Sequence, residues 1–226
     1  MNPVETQWFG NRLAEYVRDG ATIINVGSGT AAYRRQTNPH IHHDLFEPLA
    51  ARNIAVIHVD LKEDDGVDLM GDITDAGFAE TLRQYHPAAI LCNNLLEHIQ
   101  DRLAFCRAML DILPSDAYIF ASVPKSYPYH ANPIDTMFRP DVAELAGQFP
   151  GTTLIEGEIL ECGTHRDMNQ YYRKIAPRRW VVTKAKRALR VFMPFHKPHE
   201  WLEWISGRAR VHPGTPIRVT CVVLKK

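Results

Sequence analysis

At 226 residues the chain is long enough for one substantial hydrophobic core and short for two domains, and 45% hydrophobic with 23% charged residues is the usage of an ordinary folded protein. No apolar run approaches the roughly 18 residues of a membrane span, and the first residues lack a basic stretch followed by an apolar one, so the expectation is a cytoplasmic protein rather than a transmembrane or secreted one. The formal net charge of zero hides an asymmetry, because residues 1–165 carry 11 Lys/Arg against 23 Asp/Glu and residues 166–226 carry 15 against 3, which makes the C-terminal part a distinct basic region.

Taken in order, residues 5–19 place Trp8, Phe9, Leu13, Tyr16 and Val17 at helical spacing, and Asp19 with Gly20 ends that helix. Residues 22–26 (TIINV) form an apolar, β-branched run that enters Gly27, Ser28 and Gly29. Such a run is how a buried parallel strand meets a ligand, and glycines let the backbone turn sharply and approach it closely. Dinucleotides and S-adenosylmethionine both use a turn of this kind, and the turn alone does not choose between them.

After the turn, residues 31–35 begin a helix that Pro39 and the cluster His40, His42, His43 and Asp44 interrupt, so residues 36–50 are expected as a loop excursion. That cluster is not assigned to a metal, because adjacent positions rarely converge on one ion without a helix to set an i, i+4 spacing. Residues 54–61 read as the second strand, with Asp60 at its end. An acidic residue there suits the vicinal hydroxyls of a ribose, although it lies 33 residues beyond Gly27 where about 20 is usual; the other reading is an acidic turn into residues 62–65. Residues 67–74 give a short third strand closing on Asp72, with Thr74 or Asp75 capping the helix of Phe78, Leu82 and Tyr85. Residues 88–92 form the fourth strand, running into Asn93 and Asn94. Asp101 caps a helix whose apolar face includes Leu103, Cys106, Met109, Leu110 and Leu113, and residues 117–123 form the fifth strand.

Strands alternating with helices imply βαβ units and a parallel sheet, with ligands outside the carboxyl ends of the strands. Gly27, Asp60, Asp72 and Asn93 all fall at such ends. Residues 138–149 are expected as a helix interrupted at Pro140, residues 153–161 as strand six and residues 217–224 as the last strand. The four cysteines Cys92, Cys106, Cys162 and Cys221 form no CxxC pair and fit reduced, buried thiols.

At this point the sequence resembles the class I S-adenosylmethionine-dependent methyltransferases. The resemblance lies in residues 25–30 (NVGSGT), Asp60, residues 70–74 (MGDIT) and residues 94–101 (NLLEHIQD); residues 123–140, with their YPYH and PIDTMFRP stretches, are similar to a segment of a subset with glycan and other small-molecule substrates. It implies a Rossmann-like methyltransferase fold: a mostly parallel seven-stranded sheet with an antiparallel last strand and helices on both faces. Residues 1–226 would form a single domain, with residues 165–212 as a basic helical insertion between the last two strands. It implies S-adenosylmethionine as cofactor, held by Asn25, Gly27, Ser28, Gly29, Asp60, Leu61, Asp72, Ile73, Asn93 and Asn94. Within that set Asp60 takes the ribose, Asp72 and Ile73 the adenine, and Asn93 the region of the methionyl amine. Two departures stand out: Asn25 replaces the usual acidic residue and Ala31 the third glycine.

A nicotinamide dinucleotide is the rival, since residues 27–32 also fit G-x-G-x-x-A. Against it, a pyrophosphate needs a helix N-terminus directly after the turn. Methyl transfer to a hydroxyl requires the acceptor to lose a proton, and His130, His98 and Asp135 are the candidate bases. Asp135 is also read as a helix cap or a partner of Arg139. Tyr127, Tyr129 and Arg139 are candidate contacts to a small-molecule or glycan acceptor. A non-catalytic binding protein of the same fold is the alternative from a different class, kept by the substitution at Asn25. The insertion 165–212 holds 12 Lys/Arg against 3 Asp/Glu with interleaved aromatics. Residues 180–195 there pattern as an interfacial helix that suits a peripheral membrane or phosphate-bearing lipid contact, a lid, or a solvated face. No recognised nucleic-acid module accompanies the charge.

Overall fold

The computed structural model describes residues 1–130, 134–175, 177, 180–182, 185 and 212–226. The chain divides into two compact units, one formed by Met1–Cys162 with Arg218–Lys226 and the other by Gly163–Ile217. The amphipathic stretch expected over residues 180–195 lies almost wholly outside the described residues.

The first unit is built on a seven-stranded sheet, β1 (Thr22–Val26), β2 (Ala55–Asp60), β3 (Leu69–Met70), β4 (Ala89–Asn93), β5 (Tyr118–Ser126), β6 (Thr153–Thr164) and β7 (Pro216–Lys225), in the order β3-β2-β1-β4-β5-β7-β6. The first five are parallel, and β7 runs antiparallel to β5 with Phe120 opposite Val223. All seven expected strands form within a few residues of their expected limits, β3 shrinking to a single pair of residues.

Alternation along the strands divides the core in two. Ile24, Val26, Ile90, Cys92, Ile119 and Ala121 join one cluster with helix α4 (Ala76–Arg83) and helix α5 (Arg102–Ile112), through Leu82, Cys106 and Met109. Phe120 turns to the opposite face and meets Phe9 of α1 (Pro3–Tyr16) edge to face at 6.3 Å. Each fully buried side chain of this size contributes about 2–3 kcal/mol. Asp75 and Asp101 cap α4 and α5 as expected, accepting from the Phe78 and Ala104 backbone N–H groups.

Two expectations fail. The loop excursion of residues 36–50 is helical almost throughout: a π turn at Tyr33–Thr37, α2 (Pro39–Ile41), a second π turn at His42–Phe46 and α3 (Glu47–Ala51). Pro39 and Pro48 stand in the first turns of α2 and α3, where a missing N–H costs nothing, and the wide turns absorb the resulting irregularity. The helix expected over residues 138–149 is reduced to α6 (Val142–Ala146). Pro140 bars a helix through it, and Asp141 starts a new one with Glu144 in a capping box.

The second unit contains α7 (His165–Ile175), which buries none of its residues. Thr164 donates to Asp167 through its backbone N–H and hydroxyl, and Trp180 Nε1 donates to Asn169 at 2.9 Å. No helix among the described residues is long and apolar enough to cross a membrane.

Candidate active site

The site is assembled at the carboxyl ends of β1, β2, β4 and β5, within the first unit. Gly27 and Gly29 have φ of +68° and +61°, so the turn after β1 needs the left-handed region twice. A Cβ on Gly27 would stand 2.9 Å from Leu95 Cδ2, in the segment after β4. The turn is held against β2 by two bonds, Ser28 N–H to the Val59 carbonyl at 3.0 Å and Gly29 N–H to Asp60 Oδ2 at 2.9 Å. The other Asp60 oxygen, among the described residues, accepts only from the Lys62 N–H, at 3.4 Å, and keeps acceptor capacity. From beneath, the buried Arg34 guanidinium donates to the carbonyls of Ser28, Gly29 and Gly66 at 2.6–2.9 Å. Nothing in the sequence marked Arg34, because its partners are backbone atoms up to 32 residues away.

Asn25 is turned away from this turn. Its amide is buried, with Nδ2 3.1 Å from His58 Nδ1 on β2. Asp72 is exposed and makes a local turn, Oδ1 accepting from the Thr74 N–H and hydroxyl. The Ile73 side chain is buried in the core, whereas Leu61 and Met70 are 67% and 56% exposed, apolar groups at the ends of β2 and β3.

Asn93 ends β4 and Asn94 follows it. Asn93 Oδ1 accepts from Ser122 Oγ at 3.3 Å. Asn94, at φ +50°, donates its amide to Glu5 Oε1 at 2.9 Å, and Ser122 Oγ donates to the same oxygen. Glu5 is 1% exposed and ties α1 to the ends of β4 and β5. Its sequence signal was only an Asn2-x-x-Glu5 capping box, which is present but does not announce the second use of the carboxylate.

The catalytic candidates converge next to Leu95. Leu96–His98 form a 3-10 turn stitched to residues 134–139: Thr136 donates its N–H and hydroxyl to the Glu97 carbonyl at 2.8 and 2.9 Å, and His98 Nδ1 pairs with the Ile134 carbonyl. The His98 and His130 rings meet edge to face at 5.1 Å. His130 Nδ1 is 3.1 Å from Asp135 Oδ2, which also accepts the His130 N–H at 3.0 Å. Arg139 grips both Asp135 oxygens, at 2.7 and 3.1 Å, so Asp135 pairs with Arg139 and caps no helix. Burial alone would raise the Asp135 carboxyl, but the Arg139 guanidinium and the His130 and Met137 N–H groups outweigh it and hold the group at about 2. Tyr127 packs on the His130 ring at 5.1 Å, and Tyr129 is 56% exposed.

No local sequence signal marks Glu97 as buried. It is 1% exposed, and burial pushes its carboxyl up to about 7. The His40, His42 and His43 cluster is engaged elsewhere: His40 Nε2 lies 3.2 Å from the Met1 carbonyl, while His42 and His43 pair with Glu47.

No protein-family model and no curated protein matches the sequence. The fold is nevertheless similar to solved structures over nearly the whole chain. Coclaurine N-methyltransferase bound to N-methylheliamine and SAH is 15% identical with a TM-score of 0.59, over 99% of this chain and 70% of that one. The [4+2]-cyclase SpnF is 12% identical with a TM-score of 0.59, over 97% and 80%. A SAM-dependent methyltransferase from Archaeoglobus fulgidus is 12% identical with a TM-score of 0.52, over 99% and 94%. With its parallel strands, antiparallel β7 and flanking helices, the chain has the Rossmann-like fold of the S-adenosylmethionine-dependent methyltransferases.

Proposed function

We propose that this chain is an S-adenosylmethionine-dependent methyltransferase whose acceptor is an oxygen, or else a nitrogen, of a small molecule or glycan. The observation that carries the reading is the bond from Gly29 N–H to Asp60 at 2.9 Å. It joins a doubly left-handed glycine turn to a carboxylate with one oxygen still able to accept, at the strand ends where this fold takes ligands. A coclaurine N-methyltransferase of the same fold bound to SAH, and a SAM-dependent methyltransferase from Archaeoglobus fulgidus, support the cofactor.

The residues fit the group. Asp60 Oδ1 suits a ribose hydroxyl, Leu61 and Met70 offer apolar surface to a planar base, and Asp72 keeps an oxygen for an exocyclic amine. Asn93 and Asn94 stand at the end of β4, where the methionyl amine would lie. Bound there, S-adenosylmethionine supplies an electrophilic methyl group on a sulfonium. The protein's part is to hold the acceptor in line, exclude water and receive a proton. Asp135 accepts at His130 Nδ1, which fixes the tautomer and leaves Nε2 as the basic atom. Tyr127, packed on that imidazole, and the exposed Tyr129 offer surfaces for a ring or sugar.

One neighbour of this fold is a [4+2]-cyclase, so the fold does not by itself dictate methyl transfer. With Asn25 committed to His58, this favours a cofactor-binding protein without transferase activity as the second reading. Transfer of labelled methyl to a panel of hydroxylated, amino and sugar acceptors separates the two. Label in an acceptor supports the first, and cofactor binding with no transfer across the panel supports the second.

A further inference from the structure

Glu97, His98 and His130 each direct one ligand atom into a common space, all three atoms lying within 4.8 Å of one another. The side chains come from two segments that the Thr136 bonds to the Glu97 carbonyl hold together. Both imidazoles have the same nitrogen occupied: His98 Nδ1 faces the Ile134 carbonyl, and His130 Nδ1 faces Asp135 Oδ2 at 3.1 Å and the Pro128 carbonyl at 3.3 Å. All three partners are acceptors, so Nδ1 carries the hydrogen in each ring and Nε2 keeps its lone pair. His98 Nε2 then lies 3.7 Å from Glu97 Oε1. The other Glu97 oxygen is buried and has no hydrogen-bond partner among the described residues. A carboxylate taken out of water with an unmet oxygen is costly. A cation held by the carboxylate would offset that cost.

We propose that Glu97, His98 and His130 bind a divalent transition-metal ion, through one carboxylate oxygen and two Nε2 atoms. Two imidazoles and a carboxylate are the donor set of zinc, manganese and ferrous sites with open coordination positions, rather than of magnesium or calcium, which take oxygen donors. Ligating histidines almost always donate the other ring N–H to a carbonyl or carboxylate, which is the role of Ile134 and Asp135 here. Arg139 balances the Asp135 charge, so that carboxylate serves to orient His130 and does not compete for the ion. Donors bonded at about 2.1 Å to a tetrahedral ion lie roughly 3.4 Å apart, so atoms up to 4.8 Å apart here close by at most about 1.4 Å on binding. The ion-binding claim stands on these residues alone. Its consequence for catalysis rests on the methyltransferase reading: an acceptor hydroxyl on an open position of the ion is acidified by the metal, and His130 then serves as a ligand instead of a base.

The test uses the full chain, stripped with a chelator and titrated with Co2+ alone, followed by visible absorption, and with Zn2+ in competition with a chromophoric chelator. The expected result is one equivalent bound, with the affinity reduced at least 10-fold in Glu97→Gln and in His130→Ala and unchanged in the double variant His42→Ala, His43→Ala. Glu97→Gln removes a buried carboxylate that burial disfavours and should fold about as well as the parent, which thermal melting verifies. Absence of saturable binding by either ion up to 1 mM (about the weakest affinity a specific site would show) overturns the proposal. So does binding that is untouched by both site variants, or lost only in the His42/His43 variant. Because neither cofactor nor acceptor is present, failure here leaves the methyl-transfer reading intact, and failure of that reading leaves the metal site intact.

Discussion

Asp135 Oδ2 lies 3.1 Å from His130 Nδ1 and accepts the His130 backbone N–H as well, so one carboxylate fixes both the ring and the backbone of the proposed general base. The same carboxylate is gripped by Arg139, which makes the His130 orientation depend on a buried ion pair and not on the exposed loop alone. Removing His130 should therefore lower kcat by about 10²-fold or more while cofactor affinity stays within a factor of about two. Asp135→Asn should lower kcat by a smaller factor and also destabilise the fold, since it leaves Arg139 without its partner. Steady-state kinetics beside calorimetry on the two variants checks this; full activity in His130→Ala would remove the residue from the mechanism.

The glycine turn gives a second prediction. Ala at position 27 would take a left-handed conformation and bring its Cβ to 2.9 Å from Leu95, each a distinct cost. Gly27→Ala should lose about 1–3 kcal/mol of stability and weaken cofactor binding at least 10-fold, whereas Gly20→Ala, also at positive φ but with no atom near its Cβ, should lose stability only. Denaturation midpoints and binding isotherms on both variants separate strain from site damage.

Acid sensitivity should centre on His58. Burial first, then the charges of Arg34 and Arg35, outweigh Asp68 and lower its pKa to about 4; Asn25 meets its Nδ1 and Phe46 packs on its ring. A depressed histidine takes up its proton more readily in the unfolded chain, where the pKa is near 6.5. Its contribution is thus complete above pH ~6.5 and is lost as the pH falls toward ~4, amounting to on the order of 2–3 kcal/mol. His58→Gln should flatten the difference in urea midpoint between pH 7 and pH 4.5. A parent-like slope in the variant would assign the acid loss to other groups.

The elements legible in the sequence were those whose signals are local. Each strand had an apolar run, and Asp75 and Asp101 stood one residue ahead of their helices. What escaped was of two kinds. Helical residues 33–51 were hidden because Pro39 and the cluster of His40, His42, His43 and Asp44 read as an interruption, although Pro39 falls in a first turn where proline is harmless. The buried polar framework was hidden because its partners are remote: Glu5 reaches Ser122, 117 residues on, and Arg34 reaches Gly66. Within the candidate site, the alignment of Gly27, Asp60 and Asn93 at strand ends followed from the βαβ pattern. The burial of Glu97 did not, since it depends on Thr136 and its neighbours folding back over the turn at Leu96–His98.

The proposed function requires the ends of β1, β2 and β4 to receive a sulfonium cofactor through Asp60. Calorimetric titration of the parent and of Asp60→Ala with S-adenosylmethionine, S-adenosylhomocysteine and NAD tests it most directly. The expected result is 1:1 binding of both sulfur compounds by the parent, at least a 10-fold loss in Asp60→Ala (about 1.4 kcal/mol), and no binding of NAD. Binding of NAD alone, or of none of the three, would contradict it.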